Sequence, residues 1–303
     1  MIIHKIAFLV LALIFTCNSS QNKKLDINTS EAKGNGLEKK IYPLNDSLDY
    51  ESRIEGFKKL LDNQFIYDKC TYFVIISNLD SVETGNIRNN TIVPAVESFY
   101  NDFFEKRPTD VTVIFLFKDD ASYRYWADKL YSDNDLSRFG YYKPDERVML
   151  MNISTGTGTL VHEMTHALVH FDFPEIPAWF NEGLGSLYER CSLKNGNVRG
   201  FVNWRLPILK EAIYNHSYTA LDKLLQTGDN EFYGLKSDFY YSQARYLCMY
   251  MQEKELLKSY YKQFRDNFEE DKTGKKFLED LLNKKLKEIN TDFLQWVNTL
   301  KYD

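Results

Sequence analysis

The chain has 303 residues, of which 44% are hydrophobic and 15% aromatic. That is enough for a substantial core in one large domain or two small lobes. Its 38 lysines and arginines are set against 43 acidic residues, and the net charge of −5 leaves no broad basic surface for a nucleic-acid backbone. The composition therefore indicates a globular protein and argues against a nucleic-acid partner.

Residues 1–16 have the pattern of a signal peptide. Lys5 precedes an apolar run at residues 6–15 that is too short to span a bilayer. Cys17 follows directly and resembles the lipidated cysteine of bacterial lipoproteins. The two residues before it are bulkier than is usual there, so ordinary cleavage is the alternative. We expect an exported lipoprotein of the bacterial cell envelope, anchored to the membrane through Cys17, or otherwise a periplasmic or secreted protein.

The next segment, residues 17–45, is mostly polar, dotted with glycine and without apolar periodicity, which is typical of a flexible tether. We expect residues 46–303 to form the folded domain. Within it, residues 46–154 are predicted to be an α/β lobe and residues 155–303 a helical lobe.

Helices and strands are predicted to alternate along the first lobe. The helices fall near residues 50–63, 92–106 and 121–131, and the strands at 71–77, 111–117 and 147–153. A glycine-containing loop is expected before the last strand. Beyond residue 155 the pattern predicts almost only helices, near 159–171, 178–190, 204–215, 219–226, 238–251, 253–267, 275–283 and 290–300. This order predicts an α+β fold with its chemistry at the junction of the two lobes.

Three cysteines remain if Cys17 is lipidated: Cys70, Cys191 and Cys248. Their spacing is not that of a metal site, and no disulfide framework is implied. We expect all three to be small buried hydrophobic residues. One bridge between Cys70 and Cys191 is the alternative in an oxidising compartment.

The sequence His162-Glu163-Met164-Thr165-His166 is an HExxH motif, and its chemistry requires a helix. At about 100° per residue, positions four apart lie on one face, so both imidazoles can bind one metal ion. Glu163 is offset by one residue, so its carboxylate can act on a water molecule as a general base instead of binding the metal. The motif predicts one zinc ion per chain.

Catalytic zinc usually takes three protein ligands and leaves one position for water. Glu182 is the candidate for the third ligand. It lies 16 residues after His166, in the segment PAWFNEGLGSLYE, and the intervening residues can turn the chain back. Gly183 and Gly185 favour a close approach of two helices, since glycine within a helix costs about 1 kcal/mol relative to alanine.

The HEMTH motif followed by PAWFNEGLGSLYE resembles the gluzincin metallopeptidases of the peptidase-MA-like superfamily, whose pattern is HExxH and then W-x-x-E-G. The resemblance implies a zincin-like fold with a small mixed sheet, and Glu182 as a zinc ligand. It also implies that strand 147–153 is the edge strand beside the cleft, which binds a peptide or protein substrate by strand addition. Endopeptidase and exopeptidase activity both stay open.

One position departs from the thermolysin-like pattern. Where those proteins carry an aspartate that supports a zinc histidine, this chain has Ser186. Glu189, seven residues after Glu182 on the same helix face, is a candidate for that role, because a zinc histidine normally donates its other N–H to such a group. The alternative is a solvated carboxylate at the helix end.

The resemblance also implies an oxyanion donor from the helical lobe. Tyr241 is our candidate, with Tyr240 as its rival, and a packing role is the alternative for either. His170 and His216 are expected to be structural, and His4 lies in the signal peptide.

Two other interpretations are consistent with parts of this pattern. A non-catalytic surface lipoprotein could keep the gluzincin-like scaffold for partner binding, although an intact HExxH and glutamate argue against it. Alternatively, His162 and His166 could pack in a helix pair without metal. Metal analysis separates the last alternative from the others.

Overall fold

The computed structural model describes residues 44–45 and 47–302. The predicted signal peptide, Cys17, His4 and nearly all of the predicted tether lie outside these residues and stay predictions. The described chain is an α+β fold with a mixed five-stranded sheet and a helical C-terminal part. The predicted fold class is confirmed at this level.

The sheet is built around strands that are apolar on both faces. In spatial order it contains β1 (Ile66–Cys70), β2 (Phe73–Ser77), β3 (Thr112–Phe117), β5 (Val148–Asn152) and β4 (Gly140–Lys143). The three inner strands run parallel, and β1 and β4 pair antiparallel to them at the two edges. Every residue of the inner strands is buried, as expected for parallel strands covered by helices.

The helices of this part connect and cover the strands. They are α1 (Tyr50–Lys58), α2 (Ser81–Ile87), α3 (Val93–Asp102) and α4 (Asp120–Tyr131), and a π-helical turn at Arg88–Ile92 joins α2 to α3. Side chains of Asp49, Asp80 and Asp119 accept backbone N–H bonds at the starts of α1, α2 and α4.

Among the described residues after β5, the regular structure is helical apart from one hairpin. The helices are α5 (Gly158–Asp172), α6 (Ala178–Tyr188), α7 (Leu206–Tyr214), α8 (Leu221–Leu225), α9 (Asp229–Phe232), α10 (Ser237–Glu253), α11 (Leu257–Asp266), α12 (Lys275–Leu282) and α13 (Leu286–Thr299). A 3-10 turn at Ile153–Thr155 precedes α5, and the hairpin consists of β6 (Cys191–Lys194) and β7 (Asn197–Gly200).

Two predictions about the strands are wrong. The strand predicted at 147–153 exists, but it lies between β3 and β4, so it is not the edge strand. Its unbroken apolar run is the pattern of an interior strand. The edge is β4, in the segment predicted to be a loop. β1 and the β6–β7 hairpin were also missed.

The end of α5 is fixed to the rest of the protein by a fully buried carboxylate. Asp172 accepts bonds of 2.7 Å from the backbone N–H groups of Glu105 and Lys106. It also accepts bonds of 2.9 Å from Tyr261 and Arg265 on α11. Because a buried charge is tolerated only when it is paired and hydrogen-bonded, this network holds α5 in one position.

Cys70, Cys191 and Cys248 are free thiols, so the bridge considered between Cys70 and Cys191 is not formed. Cys70 and Cys248 are buried as predicted, whereas Cys191 is partly exposed. Within the described part of the chain, no helix combines the length and apolar character that crossing a membrane requires.

Candidate metal centre

The structure brings His162, His166 and Glu182 together. Both histidines lie on α5, one helical turn apart, and Glu182 comes from the adjacent α6. Oε2 of Glu182 lies 3.3 Å from Nε2 of His162 and 3.3 Å from Nε2 of His166. One ligand atom from each side chain lies within 4.8 Å of the other two, a spacing at which all three can bind one ion.

The chemistry of these atoms fits a metal cation. Glu182 is 2% exposed, and its Oε2 is buried without a hydrogen-bond partner among the described residues. A buried carboxylate oxygen in that state is costly unless something compensates it. A protonated imidazole or a metal cation beside Oε2 would do so, and two histidines with one glutamate are a donor set that zinc uses.

The other nitrogen of each imidazole faces an acceptor. Nδ1 of His166 lies 2.9 Å from Oδ1 of Asn181, and Nδ1 of His162 lies 3.2 Å from Oε1 of Glu189. Since an amide oxygen can only accept a hydrogen bond, Nδ1 of His166 carries the proton and Nε2 of His166 can present its lone pair to a metal. Nδ1 of His162 lies close to the Glu189 carboxylate but does not have hydrogen-bond geometry with it. Glu189 thus lies beside His162, and its role as a support of that imidazole stays a prediction. Ser186 is buried without a hydrogen-bond partner among the described residues.

Glu189 is in turn held by Arg205. The guanidinium of Arg205 donates to both carboxylate oxygens, at 3.0 and 3.3 Å, and lies against the rings of Trp204 and Tyr241. Burial alone would raise the pKa of Glu189, but Arg205 and His162 together outweigh burial and lower that pKa to about 2. Glu189 is therefore a carboxylate at neutral pH and can accept from His162.

In the absence of a metal, the same carboxylates favour a charged His162. Burial disfavours the imidazolium, but Glu182 and Glu189 outweigh burial and raise the pKa of His162 to about 10. Because carboxylate oxygens lie 3.2–3.3 Å from the imidazole nitrogens, the metal-free alternative is a cluster of polar groups and not an apolar packing of histidines. A metal ion that bound here would have to displace a proton.

Glu163 differs from Glu182 in its exposure. Its side chain is partly exposed, whereas that of Glu182 is buried. Its surroundings raise the pKa of Glu163, chiefly through burial, against the opposing effect of His162 and His166. Glu163 thus adjoins His162 in the chain and is not enclosed as Glu182 is.

Two tyrosines of the helical part lie beside Glu182. Tyr241, the sequence candidate, has a pKa raised well above its ordinary value by burial and by the charge of Glu182. Its rival Tyr240 points elsewhere and donates to Glu231 at 2.8 Å. Tyr233 was not predicted, yet its hydroxyl donates to Oε1 of Glu182 at 2.8 Å.

Two glycines allow α6 to approach its neighbours. A Cβ atom at Gly185 would lie 3.1 Å from the ring of His162, and one at Gly183 would lie 2.9 Å from the backbone oxygen of Ala244 on α10. The close helix approach predicted from these glycines is confirmed. It sets the position of Glu182 between α5 and α10.

Two of the contact residues had no local signal in the sequence. Tyr233 is 51 residues from Glu182, and Arg205 is 16 residues from Glu189. For Asn181 the sequence offered one weak indication, since this residue directly precedes the predicted ligand Glu182 on the same helix. His170 and His216 are exposed and do not belong to the cluster.

Comparison with known proteins adds no name to this site. No family model matches the chain, and no curated protein matches it. The geometry of the His162, His166 and Glu182 cluster is therefore the basis for a functional assignment.

Proposed function

We propose that this chain is a zinc-dependent peptidase of the gluzincin type, with Glu163 as the general base. The strongest support is the position of one carboxylate oxygen of Glu182 close to both histidines. Oε2 of Glu182 faces Nε2 of His162 and of His166 at 3.3 Å and has no hydrogen-bond partner among the described residues. Three such ligands would leave a fourth position of zinc for water.

Zinc at this site would polarise a peptide carbonyl and lower the pKa of a water molecule toward about 7. Glu163 would accept a proton from the attacking water at its carboxylate and return it to the nitrogen of the leaving amine, so that the proton balance closes. Tyr241 is our candidate to donate its O–H to the carbonyl oxygen as negative charge develops there. Glu189 and Asn181 would keep the two imidazoles in the required orientation.

The position of β4 supports a peptide as substrate. This edge strand lies against α5, the helix that carries Glu163, and pairs with β5 on one side only. The backbone groups on the other side of an edge strand can pair with an extended peptide. A zincin-like arrangement, with the edge strand beside the cleft, is part of this proposal.

Replacing Glu163 by glutamine tests the mechanism. The Glu163→Gln variant should bind one zinc per chain like the wild type and lose hydrolysis of a broad peptide library. Glu211→Gln, on the exposed side of α7, is the matched control and should keep wild-type activity. Unchanged cleavage by Glu163→Gln would discard the mechanism.

Metal analysis of the purified wild-type chain tests the metal-free alternative. One zinc per chain contradicts that alternative, and a chain without zinc after incubation with zinc salt contradicts our proposal. Zinc binding without cleavage of any peptide by the wild type would favour the non-catalytic binding protein.

A further inference from the structure

The two oxygens of the Glu182 carboxylate have different surroundings. Oε2 faces the two histidines, whereas Oε1 accepts the hydroxyl proton of Tyr233 at 2.8 Å. The carboxylate is almost fully buried, so bulk water has little access to it. The hydroxyl of Tyr233 therefore distinguishes the two oxygens.

Tyr233 comes from a part of the chain that is separate from the two metal-binding helices. It directly follows α9, and its backbone N–H donates to Asp229 at 2.9 Å. Its ring packs edge-on against Phe232 at 5.3 Å and against Tyr241 at 6.4 Å between ring centres. These contacts fix the direction of the hydroxyl.

We propose that Tyr233 is a positioning residue that keeps Glu182 a one-oxygen metal ligand. This inference rests on the proposed function, because it presupposes a metal at the cluster. The terminal torsion of a glutamate side chain is broad, so a carboxylate free to turn can offer both oxygens to a cation. With Oε1 bound to Tyr233, only Oε2 is offered, and the fourth position stays open for water.

The chain contains a matched control for this role. Tyr240 also donates its hydroxyl to a glutamate at 2.8 Å, but that residue is Glu231, which is outside the metal cluster. Both rings are packed, and replacing either tyrosine by phenylalanine removes one hydroxyl and one bond to a carboxylate. Only the replacement of Tyr233 should change the binding of the metal.

The experiment uses the full chain as wild type, Tyr233→Phe and Tyr240→Phe. Zinc affinity is measured by competition with a chromophoric chelator, and the ligand geometry by the visible absorption of the Co²⁺-substituted protein. We expect Tyr233→Phe to bind zinc about 10- to 100-fold more weakly. Its Co²⁺ bands should weaken as the metal gains a fifth ligand atom. Tyr240→Phe should match the wild type in both measurements.

Wild-type affinity and an unchanged Co²⁺ spectrum in Tyr233→Phe would overturn this inference and leave the proposed function standing. Equal losses in the two variants would overturn it as well, because the effect would then be one of general packing. A wild-type chain that binds neither metal would instead overturn the proposed function, and the role of Tyr233 with it. Thermal unfolding of each variant verifies that the fold is retained.

Discussion

Replacing Gly183 by alanine tests the close packing of α6 on α10 that sets the position of Glu182. The added Cβ would lie 2.9 Å from the backbone oxygen of Ala244 and 2.8 Å from Sγ of Cys248. The sulfur can move by a change of rotamer. The backbone oxygen belongs to the hydrogen-bonded interior of α10, so the two helices have to separate.

The size of the effect follows from two opposing contributions. Alanine in place of glycine within a helix stabilises the folded state by about 1 kcal/mol. Overpacking a tight contact costs about 1–3 kcal/mol, and a clash with backbone belongs in the upper half of that range. We expect the free energy of unfolding of Gly183→Ala to fall by about 1–2 kcal/mol relative to wild type. Because Glu182 is the adjacent residue, zinc affinity should fall as well.

Urea unfolding of wild type, Gly183→Ala and Gly85→Ala measures this difference. Gly85 lies within α2, and a Cβ there would meet nothing within 4 Å, so Gly85→Ala should gain about 0.5–1 kcal/mol. If Gly183→Ala were stabilised as much as Gly85→Ala, with unchanged zinc affinity, the packing argument would be refuted.

Two further predictions concern single hydrogen bonds. Asn181→Ala removes the acceptor for Nδ1 of His166 and should weaken zinc binding by about 10-fold or more. Asn181→Asp, which keeps an acceptor at this position, should bind zinc like the wild type. Chelator competition measures the three affinities, and equal values would contradict this prediction. Asp119→Ala removes the bond to the backbone N–H at the start of α4 and should cost about 1 kcal/mol in the free energy of unfolding at neutral pH. That bond lowers the pKa of Asp119, so the contribution is present above the unfolded-state pKa and is lost as pH falls through the lower folded-state value. The stability difference between wild type and Asp119→Ala should therefore shrink in acid, and a constant difference from neutral pH to below about 3 would argue against this assignment.

Helical periodicity was sufficient to predict much of the candidate site. The spacing of His162 and His166 places both on one face of α5. The spacing of Glu182 and Glu189, which directly follows α6, places both on one side of that helix. Such relations are local, because a helix repeats at about 3.6 residues per turn.

Relations between distant segments were not predictable in this way. The residues of β4 alternate in burial, but a strand of four residues is too short for its sequence pattern to be distinguished from that of a loop. The apolar pattern of β5 shows that the strand is buried, but it does not identify its neighbours. Tyr233 reaches Glu182 only because α9 folds against α6, and no local pattern encodes that contact.

The three free thiols of the described residues are expected to react slowly with oxidants and disulfides. Burial raises the pKa of Cys70 and of Cys191 to about 12, and it raises that of Cys248 further. Oxidation and disulfide exchange proceed through the thiolate, which is scarce for all three residues at neutral pH. The folded domain should therefore tolerate both reducing and oxidising surroundings, so that it can be prepared in a reducing cytosol without a disulfide isomerase.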